Sequence, residues 1–330
     1  MITDTRDKIL NYISYYGQAR VADLVRELGI SSVAVHKQLN KLMKDGFIRR
    51  EGKPPIVFYT FPSKEKFRSI DTEELSEYTQ RLIAKNFLSI TPGGRLLYGI
   101  EGFDYWVAQY GKKKSYVALA QEYVAIYEEQ QRHFGKRGWI DATEKLIKTF
   151  QDVYVDHLLF QDAYSYRIFG RTKLAKLVMY AKQIGSRELI DKVAMLAKPV
   201  VEKIIKTYSI DAIAYIPPTV PRPLQFMDEF AKQLALLLQE IVLAKVIPGD
   251  IPIPQKTLAT LEERVINARD SIFLKNTKHI YKNVLLIDDV VGSGASFHEI
   301  AKKLKTARVD KIIAFALVGK IKGYDVIREM

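Results

Sequence analysis

The residues best suited to chemistry lie in the segment 284–297, which reads VLLIDDVVGSGASF. Residues 284–287 are apolar and predict a buried strand, and Asp288 and Asp289 follow at its carboxyl end. A loop of glycine and serine then leads to a helix predicted over about 296–305. The start of such a helix offers unpaired N–H groups at the positive end of the helix dipole, so it can bind a phosphate.

The residue types in this loop suit a phosphorylated sugar. Two glycines let the backbone approach an anion, and two serine hydroxyls add hydrogen-bond donors. The carboxylates of Asp288 and Asp289 can accept hydrogen bonds from sugar hydroxyls or lie near a cation. The candidate phosphate-binding residues are Gly292, Ser293, Gly294, Ala295 and Ser296.

Two other phosphate loops are excluded. The chain has no G-x-x-x-x-G-K-[ST] sequence, and Phe297 occupies the third glycine position of a dinucleotide fingerprint.

The run 288–296, DDVVGSGAS, resembles the phosphoribosyl-pyrophosphate (PRPP) signature of type I phosphoribosyltransferases. Gly292 stands where that family usually has threonine. The resemblance implies that residues 292–296 bind the 5′-phosphate of PRPP. It also implies that Asp288 and Asp289 hold ribose hydroxyls or the waters of a Mg²⁺ ion, which would be bound through PRPP and not by direct protein ligands.

The fold class expected for this part of the chain is α/β. Helical patterns alternate with apolar strands at 212–216, 244–247, 284–287 and 312–318, which predicts a mainly parallel sheet with helices on both faces. Ligands of such sheets lie beyond the carboxyl ends of the strands. A proline-rich loop at 217–222 and the loop at 288–296 both fall at that edge.

Residues 164–320 most resemble the ComF-like phosphoribosyltransferases. The resemblance implies that Arg222, in the proline loop, and Arg264, in a mobile hood over 255–267, bind pyrophosphate. The family's Arg-Gly-Phe-Asn-Gln stretch is replaced by residues 224–230, and its four-cysteine zinc ribbon is absent. The lost stretch, together with Gly292, favours binding of PRPP over its turnover, and the absence of the ribbon suggests a different way of meeting nucleic acid. An active enzyme would be a glycosyltransferase that releases pyrophosphate from PRPP.

Residues 4–61 predict a winged helix-turn-helix. Three helical stripes, the last formed by Val33, Val35, Leu39 and Leu42, precede two short strands with a basic tip. Either Ser31 or Ser32 would cap the third helix. The module resembles those of bacterial transcription regulators, with the third helix in the major groove and the wing on the DNA backbone. The candidate DNA-binding residues are Ser32, His36, Lys37, Asn40, Lys41, Lys44, Arg49, Arg50 and Lys53.

The composition of the chain indicates partners that carry negative charge. The 330 residues carry 51 lysines and arginines against 38 acids, a net charge of +13. The absence of cysteine excludes disulfides and thiolate chemistry. We expect neither a signal peptide nor a membrane span, and therefore a cytoplasmic protein.

Three regions are predicted: a winged helix-turn-helix (1–62), a mostly helical linker or dimerisation region with a hairpin near 87–98 (63–154), and a phosphoribosyltransferase-like domain (155–330). Aromatic residues in the middle region fall at helical spacing, which favours a core or an interface over a platform for single-stranded nucleic acid.

Three functions follow from this arrangement. The first is a dimeric DNA-binding transcription regulator that binds PRPP or a nucleotide with Mg²⁺. The second is an active phosphoribosyltransferase of nucleotide metabolism whose winged helix serves docking. The third is a ComF-like protein of DNA uptake or handling that binds single-stranded DNA.

Overall fold

The computed structural model describes residues 5–61, 75–111, 114–134, 137–275 and 281–320. The chain divides into two compact units, Met1–Ser69 and Ile70–Met330.

The first unit is a three-helix module followed by a β-hairpin. Its elements are α1 (Thr5–Tyr16), α2 (Val21–Leu28), α3 (Ser32–Lys44), β1 (Arg49–Lys53) and β2 (Ile56–Thr60). The hairpin is antiparallel, and Ala19, just before α2, pairs with Tyr59 of β2 as a third short strand. This is the architecture of a winged helix-turn-helix, as predicted.

The helices pack around a small apolar core that includes Ile9, Leu24 and Leu39. Ser31 is the cap of α3, because its hydroxyl accepts a hydrogen bond from the N–H of Ala34 at 3.2 Å. The prediction that Val33 belongs to the core is wrong, since its side chain is 76% exposed. At 100° per residue, Val33 lies on the opposite side of α3 from the buried Val35 and Leu39.

The second unit is built on one six-stranded sheet. Its strands are β5 (Ile140–Asp141), β6 (His157–Ala163), β7 (Ala212–Tyr215), β8 (Gln239–Glu240), β11 (Asn283–Val291) and β12 (Lys311–Gly319). Their order is β5-β6-β12-β11-β7-β8, and only β5 runs antiparallel to its neighbour. The mainly parallel sheet predicted for this half is confirmed.

Two short hairpins accompany this sheet: β3 (Leu88–Ile90) with β4 (Leu96–Tyr98), and β9 (Leu243–Lys245) with β10 (Ile272–Leu274). The helices of the unit are α4 (Glu77–Asn86), α5 (Gly99–Tyr110), α6 (Tyr116–Phe134), α7 (Thr143–Thr149), α8 (Lys173–Ile184), α9 (Arg187–Tyr208), α10 (Phe226–Leu234), α11 (Leu261–Ser271) and α12 (Ala295–Thr306).

Helices cover both faces of the sheet. In β11, Leu285 and Ile287 pack into a core with α8, α9 and α10, whereas Val284 and Leu286 pack into a second core with α7 and α12. Burial on both faces explains why the strand is a continuous apolar run instead of an alternating one.

Three sequence predictions are corrected here. Residues 244–247 were expected in the parallel sheet, but β9 pairs with β10 outside it, because a short apolar run does not reveal its partner. Strand β6 was not predicted. At the end of the region predicted as mostly helical, only α7 is a helix after residue 140, since Asp141 lies in β5 and residues 150–154 are extended or bent. The hairpin expected near 87–98 is confirmed as β3 and β4.

The middle region has an aromatic core of its own. This core includes Phe87 at the end of α4, Phe103 of α5 and Tyr123 of α6, each at most 3% exposed. All three rings pack against Phe169, which follows β6. Phe103 and Tyr123 therefore lie in a core, as the helical spacing of the region's aromatic residues predicted, and they are not accessible for stacking on bases. Among the described helices, none is long and apolar enough to cross a membrane.

Candidate functional site

One cavity of about 360 Å³ lies beyond the carboxyl ends of β7 and β11. Its wall combines the loop after β11, the proline loop after β7 and the hood segment around Gln255. The sequence-predicted residues brought together there are Arg222, Arg264, Asp288, Asp289, Gly292, Ser293, Gly294, Ala295 and Ser296. Segments separated by up to about seventy residues in the chain thus meet at one edge of the sheet, where α/β proteins bind ligands.

The loop after β11 is shorter than predicted. The strand continues through both aspartates to Val291, and α12 begins at Ala295, so only three residues lie between strand and helix. Gly294 caps α12 in the left-handed conformation, with φ of +84°. A Cβ there would lie 2.6 Å from Cδ2 of Leu146, whereas a Cβ on Gly292 would meet nothing within 4 Å. Glycine is therefore required at 294 and not at 292.

Helix α7 supports this loop from behind. The ammonium of Lys145 donates to the carbonyl oxygen of Gly292 at 2.8 Å and to that of Lys320 at 3.3 Å. Burial and the nearby Lys320 lower the pKa of Lys145. Because the carbonyl of Gly292 is turned towards Lys145, it does not face an anion in the loop.

The two aspartates differ in surroundings. Asp289 is almost fully buried, with 6% of its side chain exposed, and forms an ion pair with Lys182 near the end of α8. Asp288 accepts a hydrogen bond from the backbone N–H of Asp289 at 2.7 Å. Lys182 is 45% exposed, so its ammonium bridges the buried carboxylate and the open cavity.

These contacts shift the pKa values of the two carboxyl groups in opposite directions. Burial and the charge of Asp289 hold the pKa of Asp288 well above its ordinary value. Burial also acts to raise the pKa of Asp289, but the ammonium of Lys182 outweighs it and holds that pKa below the ordinary value. Burial opposes the charge of Lys182, yet the two aspartates raise its pKa. Asp289 and Lys182 are therefore a charged pair.

The two arginines expected to bind pyrophosphate have protein partners. Arg222 is exposed, and its guanidinium donates to the backbone carbonyl of Lys182. Arg264 is only 6% exposed, and its Nε and Nη2 donate to the carbonyl of Leu258 at 3.2 and 2.9 Å. Arg222 has guanidinium N–H groups that reach the cavity, whereas Arg264 mainly orders the hood. Their role with pyrophosphate stays a prediction.

Two further lysines in the cavity wall were not predicted as site residues. Lys245 of β9 donates to the hydroxyl of Ser271 at 2.6 Å, and burial, with Lys303 nearby, lowers its pKa to about 8. Lys256, in the hood, is exposed. Together with Lys182 they make the cavity more basic than the motifs alone indicated. The sequence carries no local signal for them, because lysines are also frequent on solvated faces.

The first unit presents a separate basic surface. Along α3, the residues Ser32, His36, Lys37, Asn40, Lys41 and Lys44 are all exposed, as are Arg49, Arg50 and Lys53 of the wing. Exposed Val33 lies on the same side of α3. Arg49 is partly neutralised by Glu51 at 2.6 Å. Gly52 lies in β1, just before the turn at Pro54 and Pro55, with φ of +84°, and a Cβ there would lie 2.4 Å from the carbonyl oxygen of Ile56.

A comparison with known protein families agrees with the architecture of the first unit. Residues 8–55 match the model of the MarR family. No curated protein is similar enough to count as a match.

Several solved structures resemble part of the chain. A hypoxanthine phosphoribosyltransferase from Staphylococcus aureus is 14% identical, with a TM-score of 0.25 over 43% of this chain and 71% of that chain. An adenine phosphoribosyltransferase is 15% identical, with a TM-score of 0.26 over 42% and 83%. A purine phosphoribosyltransferase from Pyrococcus horikoshii is 12% identical, with a TM-score of 0.23 over 42% and 94%. At these TM-scores the likenesses carry no argument.

The fold assignment of the second unit therefore rests on its strand order and on the loop between β11 and α12. The ComF-like subfamily stays a resemblance in sequence. The N-terminal module is a winged helix in which residues 8–55 match the MarR family model, and it is joined in one chain to an α/β unit built on a mainly parallel six-stranded sheet.

Proposed function

We propose that this protein is a DNA-binding regulator whose second unit binds PRPP or a nucleotide. The observation that carries the proposal is the cavity in which the loop of residues 292–296 lies beside the proline loop and the hood. A volume of about 360 Å³ lies within the range of small-molecule sites. Its cationic residues suit a ligand with more than one phosphate.

Different residues of the cavity would bind the 5′-phosphate, the ribose and the pyrophosphate of PRPP. The N–H groups at the start of α12 and the hydroxyl of Ser296 would bind the 5′-phosphate. Asp288 would accept hydrogen bonds from ribose hydroxyls. Arg222, Lys256 and Lys245 would bind a pyrophosphate.

The proposed DNA surface consists of α3 and the wing. Lysines and His36 on α3 would contact phosphates and base edges, and the exposed Val33 suits contact with a thymine methyl group. Ligand binding would regulate DNA binding only if the ligand has different affinities for two states of the protein.

The test is a thermal-shift titration of the full chain with PRPP, with ribose 5-phosphate and inorganic phosphate as comparisons. We expect the melting temperature to rise most with PRPP, since a ligand stabilises the state that it binds. No shift with PRPP or with a nucleoside 5′-phosphate would refute the proposed ligand class.

An active phosphoribosyltransferase is the second candidate, and it is favoured by the presence of both aspartates beside the phosphate loop. In that reaction a nitrogen of a base would bond to ribose C1 while the bond to pyrophosphate breaks. The protein would act by positioning and electrostatics. Release of pyrophosphate from PRPP with a panel of bases, lost in Asp289→Asn, would establish it.

A further inference from the structure

The ammonium of Lys182 lies beside the two aspartates of the cavity, where a positive charge is needed to balance their carboxylates. Its ammonium contacts the carboxylate of Asp289 and lies near that of Asp288, so it neutralises part of the charge of two adjacent acids. A divalent cation at this carboxylate would have to displace the ammonium first. As arranged, Asp289 therefore does not fit a metal site.

The position of Lys182 is set by the backbone. It lies in the last turn of α8, which ends at Gly185 in the left-handed conformation with φ of +61°. Carbonyl groups in the last turn of a helix lack helical partners, and Arg222 donates to the carbonyl of Lys182. The proline loop thus holds the end of α8 in a place from which the lysine reaches Asp289.

We propose that Lys182 is the resident cation of this site and that the phosphorylated ligand binds without a divalent cation. The inference rests on the proposed function, because it concerns how the same cavity binds PRPP. Ribose hydroxyls can donate to a carboxylate and accept from an ammonium, so Asp288 and Lys182 together hold the diol. Arg222, Lys256 and Lys245 supply the charge that balances the pyrophosphate.

The experiment compares PRPP binding by calorimetry to the full chain in EDTA and in excess Mg²⁺. For the wild type we expect dissociation constants within about threefold of each other, allowing for Mg²⁺ bound to free PRPP. For Lys182→Met we expect affinity in EDTA to fall about tenfold or more and to be partly restored by Mg²⁺, because the carboxylates become accessible to the metal.

Two further variants keep the test decisive. Lys182→Arg retains a cation and should bind PRPP in EDTA, which covers the case in which Lys182→Met fails to fold. Lys192 of α9 is a matched control, because it is 39% exposed, pairs with Glu188 at 2.9 Å and lies outside the cavity wall. Lys192→Met should bind like the wild type in both conditions.

The outcomes separate this proposal from the proposed function. Wild-type binding that is strong with Mg²⁺ and at least tenfold weaker in EDTA would overturn the role of Lys182 and leave the proposed ligand intact. A Lys182→Met variant that binds like the wild type in EDTA would overturn it as well. No PRPP binding in either condition would overturn both.

Discussion

Leu146 of α7 lies so close to Gly294 that residue 294 has no space for a side chain. Its Cδ2 would be 2.6 Å from a Cβ at that position. The start of α12, at the end of this loop, is thus shaped by a leucine almost 150 residues earlier in the chain, and this relationship leads to the first prediction.

Gly294→Ala should destabilise the protein by about 1–3 kcal/mol, because a Cβ meets Leu146 and is strained at positive φ. It should also weaken phosphate-ligand binding. The measurement is thermal denaturation with and without PRPP. Gly292→Ala is the control and should melt close to the wild type, since its Cβ would meet nothing within 4 Å. Equal losses in both variants would contradict the proposed geometry.

Replacement by asparagine at pH 7 should destabilise the protein at Asp289 but not at Asp288. Asp289 has a lowered pKa, so its charge adds stability above its ordinary pKa, and this contribution is lost as pH falls through the folded-state pKa. Asp288 has a raised pKa, so its charge costs stability at neutral pH and the cost disappears as pH falls.

We therefore expect Asp289→Asn to lower the melting temperature and Asp288→Asn to leave it unchanged or raise it. The loss for Asp289→Asn should be about 1–3 kcal/mol, less than for a fully buried pair, because Lys182 is 45% exposed. Melting curves at several pH values check this. The reverse order of the two variants would show that the pair is assigned incorrectly.

Ligand binding should take up protons near pH 8. The pKa of Lys245 is about 8, so the amine is partly neutral there, and a bound anion favours the ammonium. Affinity should accordingly decrease as pH rises from 7 to 9. Calorimetry in buffers with different ionisation enthalpies measures the uptake, and Lys245→Arg should abolish it. If Lys245→Arg takes up as many protons on ligand binding as the wild type, another group binds the proton.

Duplex DNA binding should depend on α3. The double variant Lys37→Glu and Lys41→Glu should lose measurable binding and its steep salt dependence, because both lysines are exposed on the proposed groove-facing side. The matched control is Lys206→Glu with Lys311→Glu, which changes the net charge equally on exposed lysines of the second unit. Duplex binding by the α3 variant at wild-type strength would refute this surface.

The sequence predicted the elements whose signal is local. The helices of the first unit, β11, and the loop with Gly292 and Gly294 follow from short patterns of burial and turn residues. It did not predict β6, whose run HLLFQDA lacks a motif, or the partner of β9, which depends on the tertiary structure.

The sequence did not predict the lysines of the candidate site for the same reason. Lys182 lies in an ordinary amphipathic helix, and only the tertiary structure brings it to Asp289, 107 residues away. Lys245 likewise gains its lowered pKa from burial beside Ser271 and Lys303, which no spacing in the chain reveals.

The two outermost strands of the main sheet limit how a second copy of the protein can pair with it. Among the described residues, β5 and β8 have two residues each. An edge this short offers a second copy almost no backbone ladder to extend, so the sheet does not template its own aggregation. If the protein pairs on a palindromic DNA site, as a winged helix often does, we expect the dimer contact to come from elements other than the edges of this sheet.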